Sequence, residues 1–537
     1  MVNVSSDWKA LQNEILLPEV FVELTYTVTE PGLQQDATAS GNYPEAFADI
    51  NQVVEVEDKD SEVYAALDYG MWGLNGEFSY SDGSPNDPGY VTSNYSGIDT
   101  SMKTSGYPTI TIDFSERHDY LVPGLTITWS KVFGGWATDF IVSTYNSTGL
   151  VEQKNVTGNT QIESVIEMDL QEYTKITISV LKWSHPYQRV RCIDIRLGIR
   201  KTYTKTDLMK FEHSQSIDLL SAALPRTEIS FSLRNDDNRW NPDNPEGTEK
   251  YLLEQQEMHV RYGMDINGET EWIDGGTFWL SEWGTPANGL EATFKAIDAI
   301  GFMQNLYTGR RTGTLYDIAL DALLEAELPT LDDGSPRYVL SDSLKQITTD
   351  FTENDDEYTI AEVLQMVANA GCCVFYQDRQ GVVRIESWKN TYSDYLIDNR
   401  ISYTHPEYTI NKPLKAVSVA YGKDLRAVVA ANSKGEIQKV DNPFIVTEED
   451  ALRVGEHTRE FLVNRKVISG EFRADMRLDA LDNIIVTSKY ASNVIAVSDV
   501  KYTTTGGAFK GTYTGRVVTV ELTPTHYHSG EIYAGEV

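Results

Sequence analysis

Cysteine is scarce in this 537-residue chain: Cys192, Cys372 and Cys373 are all it has. Three thiols, two of them adjacent, give no disulfide framework and no zinc-ligand spacing, so they read as small buried hydrophobes. On a strand, adjacent Cys372 and Cys373 would point to opposite faces. Long apolar runs are missing as well. No stretch approaches the ~18 residues that a membrane-crossing helix needs. The opening MVNVSSDWKALQNEILLPEV has no basic segment followed by an apolar one, so no signal peptide is expected. Without secretion, the Asn-x-Ser/Thr triplets at Asn94, Asn146 and Asn155 mean little. Cations are in deficit, with 45 Lys and Arg against 80 Asp and Glu, a formal net charge of −35. That argues against a surface that grips nucleic acid. It leaves two readings, simple solubility or a negative wall past which DNA slides.

Catalytic signatures are absent too. There is no H-E-x-x-H, the eight His are scattered, and no G-x-S-x-G elbow occurs. Gly309–Gly313 (GRRTG) lacks the Lys-Ser/Thr of a phosphate loop and reads as a turn before a helix. Neighbouring carboxylates such as Asp355/Asp356 or Glu448/Glu449 do not flank a common point, as glycosidase pairs must. No enzyme, cofactor or metal is expected. No 20–50-residue repeat recurs, so any repetition would come from several copies of the chain.

What the chain does have is β-texture. Hydrophobic residues make up 41% and aromatics 11%, with thirty Tyr and ten Trp, enough for packed cores rich in strands. The length predicts about three or four domains, mainly β with some α. PEVFVELTYTV (18–28) is a strand, followed by a linker to about 45. From about 60 to 199, alternation in Thr109–Phe114, Leu125–Trp129, Lys175–Val180 and Ile193–Leu197, without helices between, predicts a β-sandwich. Helices come later. One is capped at Thr314 with Asp317 three residues on, and its apolar face is Leu315, Ile318, Ala319, Ala322, Leu323 and Ala326. A second starts at Thr359 with Glu362 closing a capping box, carries Ile360, Val363, Leu364, Val367 and Ala368, and stops at Gly371. CCVFYQDRQGVVRIESW reads as a hairpin turning at DRQG. A third helix follows Thr447 with Ala451, Val454, Phe461 and Leu462, and the remainder is strands and turns.

The stretch Thr227–Gly247, TEISFSLRNDDNRWNPDNPEG, is the most informative. An alternating strand (Ile229, Phe231, Leu233) runs into a dense Asx/Pro turn holding Trp240. Asp236, Asp237, Asn238, Asp243 and Asn244 invite a calcium reading, but the D-x-[DN]-x-[DN]-G order is not met, and Asx turns account for the pattern. The passage resembles one in tail-tip and baseplate hub proteins of tailed bacteriophages, where a strand ends in N-x-D-N-R-[FW]-[ND]-P. MKFEHSQSIDLLSAALPRTEISFSLRNDDNRWNP, TIAEVLQMVANAGCCVFYQDRQGVVRIESW, and FRADMRLDALDNIIVTSKY with VKYTTTGGAFKGTYTGR look like successive modules of such a hub, in order.

The sandwich has a resemblance of its own, to galactose-binding-like (discoidin or coagulation-factor type C) jelly rolls. It is carried by YAALDYGMWGLNG, PTITIDFS, GLTITWS, DFIVSTYNSTG and ITISVLKWSHPYQRVRCIDIRLG. Aromatics in its expected loops and strand ends, Trp72, Tyr80, Tyr90, Tyr95, Phe133, Trp136, Trp183, His185 and Tyr187, could stack on sugar rings, with Asp82, Asn86, Asp87 and Asn94 binding hydroxyls. The competing expectation is that several of them, Trp72 and Trp183 above all, plug the jelly-roll core.

Together the resemblances imply tail-hub β-barrel or β-sandwich modules plus an inserted jelly-roll β-sandwich. The expected divisions are an N-terminal hub strand and linker (1–45), the inserted sandwich (46–199), a hub β-domain (200–305), an α+β domain with helices and hairpin (306–400) and a C-terminal β-domain with one helix (401–537). The implied role is structural: a homotrimer closing the distal end of a tail tube, joined to the tape-measure protein and distal baseplate proteins. DNA would pass through its channel at genome ejection. The chain would be a virion component, assembled in the host cytoplasm. The sandwich would touch host-surface glycans in attachment or brace neighbouring subunits. Asp236, Asp237, Asn238 and Trp240 would form an assembly loop, with Trp240 anchored on the β-ring or a neighbouring subunit. Two other classes compete. A tail-associated lysin would carry a catalytic domain after the hub, whereas hub-like strands run to the end at Val537. A free carbohydrate-binding adhesin would be a self-sufficient monomer.

Overall fold

A computed structural model of the chain describes residues 1–12, 20–30, 32–54, 68, 87–102, 106–130, 134–244, 247–285, 289–328, 331, 335–352, 356–389, 395–423, 425–488, 491–505 and 508–522. Three bodies of structure follow from it, each around its own core.

The first is a 13-stranded sheet drawn from three distant parts of the chain. Val20–Val28 lies between Ile199–Tyr203 and Glu257–Ile266, all antiparallel. The path continues through Glu269–Gly284, Glu291–Ile297, Arg226–Arg234 and Leu208–Ser216, then crosses to the C-terminal strands Ala491–Thr505, Ala508–Leu522, Lys466–Arg473 and Glu407–Ile410. The two end strands are not paired with each other, so the expected hub modules share one open sheet and form no closed barrel among the described residues. Strands from the expected divisions 1–45, 200–305 and 401–537 are thus joined in one sheet, with Trp8, Tyr26, Phe231, Tyr262, Phe472 and Tyr502 in a common core.

The second is the sandwich, with five strands (Ala37–Gly41, Thr109–His118, Tyr173–Trp183, Ala137–Asn146, Gly149–Val156) facing four (Glu163–Leu170, Val122–Trp129, Arg189–Leu197, Tyr90–Tyr95). The alternation read from the sequence is borne out in Thr109–Phe114 and Lys175–Val180, where every second residue is buried, and corrected in Leu125–Trp129, part of a central strand buried on both faces. The linker expected up to residue 45 is corrected, because Ala37–Gly41 pairs with Ile110–Phe114 as a sandwich strand. ATASG carries no apolar alternation. It extends because the edge of Thr109–His118 offers unpaired backbone groups. The insertion is compact at its root, since Val28 is paired with Ile199, which puts the exit and re-entry points side by side. Gly198 (φ +110°) makes the return turn, donating its N–H to Gly124 O at 2.9 Å. An added Cβ there would run into Val28 O and Thr29.

The third holds the helices. Both capping boxes are present, Thr314 with Asp317 and Thr359 with Glu362, at the starts of Leu315–Glu325 and Ile360–Ala370. The hairpin Val374–Gln377/Val383–Glu386 turns at Asp378–Gly381, and Thr447 caps Glu448–Leu462 through Asp450 N–H. Two details differ from expectation. Gly371 ends its helix in a right-handed conformation and the left-handed residue is Cys372 (φ 54°), so Gly371 is there because Leu344 occupies the space of a side chain. The cysteines consequently sit in the turn before the strand; Cys373 is buried and Cys372 half-buried. In addition, the sheet of Leu425–Ala430, Leu414–Tyr421 and Glu436–Val440 packs with the helices and not with the C-terminal strands that surround it in sequence.

Candidate functional site

Among the described residues, the sandwich meets the body of the large sheet at one end. There Tyr251 Oη donates to Asp169 Oδ1 at 2.5 Å, and Lys250 Nζ lies 3.6 Å from Asp169 Oδ2. The opposite end gathers the turns after Tyr90–Tyr95, Val122–Trp129, Gly149–Val156 and Tyr173–Trp183. Trp136 is fixed there from two sides: its backbone N–H donates to Ser184 Oγ at 3.0 Å and its indole N–H to Asn159 O at 2.9 Å. His185 stands edge-on to it, with ring centres 5.7 Å apart, and Ser184 Oγ lies 2.8 Å from His185 Nδ1. Ser96 Oγ donates to His185 O at 2.6 Å, and Tyr187 N–H donates to Ser96 O at 3.1 Å. Tyr187, in the left-handed region (φ 55°), is 38% exposed. Two partly accessible rings and a histidine on a hydrogen-bonded frame suit the apolar face of a small polar ligand. Beside them the Gly158 N–H, 2.9 Å from Asp139 Oδ1, holds that carboxyl below its usual range, with Lys182 Nζ at 3.1 Å.

Two other sequence-predicted residues, Trp183 and Tyr90, are buried and not available to a ligand. Trp183, 1% exposed, is corrected to a core residue. It lies edge-on to Trp129 at 5.9 Å, its indole N–H donates to Gln188 Oε1 at 3.3 Å, and Gly135 fits beneath its ring. Tyr90 is likewise corrected: it is 1% exposed, its hydroxyl donates to Asn42 O at 2.6 Å, and burial pushes its pKa up to about 12. Tyr95 serves Arg189, whose Nη2 donates to Tyr95 Oη at 2.6 Å while Nε lies 3.2 Å from buried Asp68. Asn94 receives no ligand-like setting, its N–H donating to Thr92 Oγ1 at 3.3 Å. Asp87 belongs to a short strand paired with Ala48–Asp49. Trp72, Tyr80, Asp82, Asn86 and Phe133 lie outside the described residues. Ser96, Asn159 and Ser184, which build the frame, went unnoticed in the sequence, where a Ser or Asn in a loop carries no signal of its own.

The Asx/Pro loop is architecture. Asn235, itself buried, accepts the Trp240 N–H at 3.0 Å through Oδ1. Trp240 is buried edge-on to Phe294 at 4.9 Å, so its anchor is the chain's own sheet. Asn238 takes a left-handed φ of 57°, and Asn238, Asn241, Asn244 and Gly247 donate their N–H groups in successive turns. Asp237 accepts from Arg239 Nε at 2.6 Å, and Arg239 holds its carboxyl below the usual range; Asp236 lies 3.8 Å from Arg234. No group of three metal-ligating side chains converges among the described residues, and none of their helices is long and apolar enough to cross a membrane.

Arg379, at the hairpin turn of the helical body, carries no signal in the sequence beyond its place in the DRQG turn. It is buried in the large sheet's core, where Nε donates to Asp479 Oδ2 at 2.8 Å and Nη2 to Met476 O at 2.6 Å. Its neighbour Gln377 accepts from Ala299 N–H at 2.8 Å and donates to Thr277 O at 2.9 Å. Together they lock the hairpin to the sheet.

No family model and no curated protein sequence matches the chain. Solved structures similar to it include the prophage MuSo2 43 kDa tail protein from Shewanella oneidensis, 12% identical, spanning 59% of this chain and 95% of that one at a TM-score of 0.40. The tail protein from Neisseria meningitidis MC58 is 10% identical over 59% of this chain and 93% of its own, at 0.39. The family 32 CBM from C. perfringens NanJ, solved in complex with galactose, is 12% identical over 32% of this chain and 98% of its own, at 0.20. At scores this low the likeness lends no weight to any particular function.

Proposed function

We propose that the chain is a structural hub protein at the distal end of a phage tail, with several copies, three by the sequence resemblance, around a central channel. The observation that carries the reading is where the resembling stretches lie. The N-terminal strand, the strand before the Asx/Pro turn and the C-terminal strands, hundreds of residues apart, share one sheet and one core. The hairpin of the fourth stretch is locked into that core by Arg379. Tube, tape-measure protein and distal baseplate proteins are the partners this role requires, and DNA passes without specific binding, in keeping with the −35 charge. The sandwich is an arm whose free end, with Trp136, His185 and Tyr187, contacts a host glycan. No catalysis is assigned.

Mass photometry and negative-stain imaging of the purified chain test the hub. A ring of copies that joins tail proteins supports it; a stable monomer that binds glycan tightly and never assembles with tail proteins points to an adhesin instead. Release of cell-wall fragments by the chain would overturn the non-enzymatic part. For the arm, Trp136→Ala is expected to abolish retention on a glycan array at a stability cost of about 1–3 kcal/mol, from its lost indole hydrogen bond and core packing, with melting curves showing that the sandwich stays folded.

A further inference from the structure

Among the described residues, the small sheet of Leu414–Tyr421, Leu425–Ala430 and Glu436–Val440 has an apolar core on one face only. Val417, Val419 and Ala427 turn into the core shared with Ala451 and Val454 of the helix Glu448–Leu462. On the other face the paired rows Ala430–Ala416–Ile437 and Val428–Ser418–Lys439 lie side by side. A solvent-facing strand surface is ordinarily polar, yet Val428 is 60% and Ile437 50% exposed, rising from a flat ground of Ala416 and Ser418. Both outer strands of this sheet are unpaired edges among the described residues.

The charge of the segment is also reversed. Residues 411–440 hold Lys412, Lys415, Lys423, Arg426, Lys434 and Lys439 against Asp424 and Glu436, in a chain of net charge −35. Lys412 is paired with Glu436 and Arg426 with Asp441, while Lys415, Lys434 and Lys439 are exposed. Two copies of so acidic a chain repel over most of their surfaces, and contact is favoured where the sign is reversed. A desolvated apolar centre with a charged rim is the usual anatomy of a protein interface.

We infer that this face is the contact between copies of the chain. It seats on an acidic surface of the next copy, with Val428 and Ile437 at its centre and Lys415, Lys434 and Lys439 around them. A basic face meeting an acidic one joins two different surfaces, so the association runs head to tail, the mode from which a ring is built when its rotation closes. The inference rests on the multi-copy reading above and names the surface that makes it.

The test uses the full chain in sedimentation velocity and mass photometry at low and high salt, alongside Val428→Glu/Ile437→Glu and Lys415→Glu/Lys439→Glu. All four side chains leave the cores untouched, and unchanged melting curves will confirm folding. The wild type is expected to assemble, less so at high salt. Each double variant is expected to need at least about tenfold more protein, equivalent to about 1.4 kcal/mol of contact free energy. Assembly of both variants at the wild-type concentration overturns the inference and leaves the hub reading standing. A wild type that stays monomeric overturns the inference too, and tail incorporation then judges the hub separately. Duplex DNA retained by the wild type and lost by the lysine variant would assign the face to nucleic acid and overturn it as well.

Discussion

The sandwich and the large sheet are both antiparallel and Tyr/Trp-rich, but they are held together differently. The sandwich takes all its strands from one continuous stretch, fills its interior with apolar groups, Trp129, Trp183, Phe140 and Ile178 among them, and keeps its own buried ion pair, Arg189 with Asp68, within that stretch. The large sheet collects strands from three stretches and buries a polar cluster among its aromatics. Arg379 pairs with Asp479 beside Tyr262 and Tyr502, and His213 Nδ1 lies 2.7 Å from Tyr262 Oη. An apolar core needs only volume and pattern, so a sandwich can be carried as a module between two paired strands. A buried ion pair demands that every partner arrive in place, which ties the hairpin of one body to the strands of another.

The comparison can be broken most severely by excision. Removing residues 30–197 and joining Thr29 to Gly198 through a short Gly linker is expected to leave the large sheet folded, because Val28 and Ile199 are already neighbours. Calorimetry is expected to lose one transition and keep the other; loss of both would show that the large sheet depends on the sandwich. Next, Trp183→Ala and Trp240→Ala make the same deletion in the two regions, each expected to cost about 3–5 kcal/mol. Hydrogen exchange is expected to place the damage in the sandwich for the first and in the large sheet for the second, and a shared response would merge the two units. Arg379→Ala is expected to cost a similar 3–5 kcal/mol or so, since it leaves Asp479 without its partner, and to loosen Val374–Glu386 while the sandwich keeps its protection.

Acid gives the mildest contrast. Burial pushes His213 down to about 3, and its Nε2 has no hydrogen-bond partner among the described residues. Unfolded, it titrates near 6.5. Its folded value is depressed, so the contribution is fully present above about pH 6.5 and is lost as pH falls towards 3, with a limiting slope of about 1.4 kcal/mol per unit. Melting followed from pH 7 to 4 is expected to show the large-sheet transition falling with this slope, and His213→Gln to flatten it. A sandwich transition that tracks the same histidine would refute the separation.

Much of this was readable from the chain. The capping boxes at Thr314 and Thr359 are local chemistry, settled within four residues. The alternation of Thr109–Phe114 or Lys175–Val180 reports one wetter and one dry face wherever the strand ends up. Site residues were harder. Trp136 and Trp183 have the same loop-edge texture, yet Trp183 is paired with Ala137 in the sheet and turns inwards, while Trp136 lies one residue outside the strand and stays partly accessible. Ala37–Gly41 is a strand only because a neighbour's edge needed one.

The sequence alone therefore determined the mainly β character, the helices with their caps, the sandwich texture and the Asx/Pro loop, because each depends on contacts a few residues apart. Tertiary structure decided which aromatics are core and which are surface, the open large sheet, the placement of 411–462 with the helices and the lock at Arg379. Those depend on strands meeting across hundreds of residues, where pairing and burial are set by the partner and not by the segment itself.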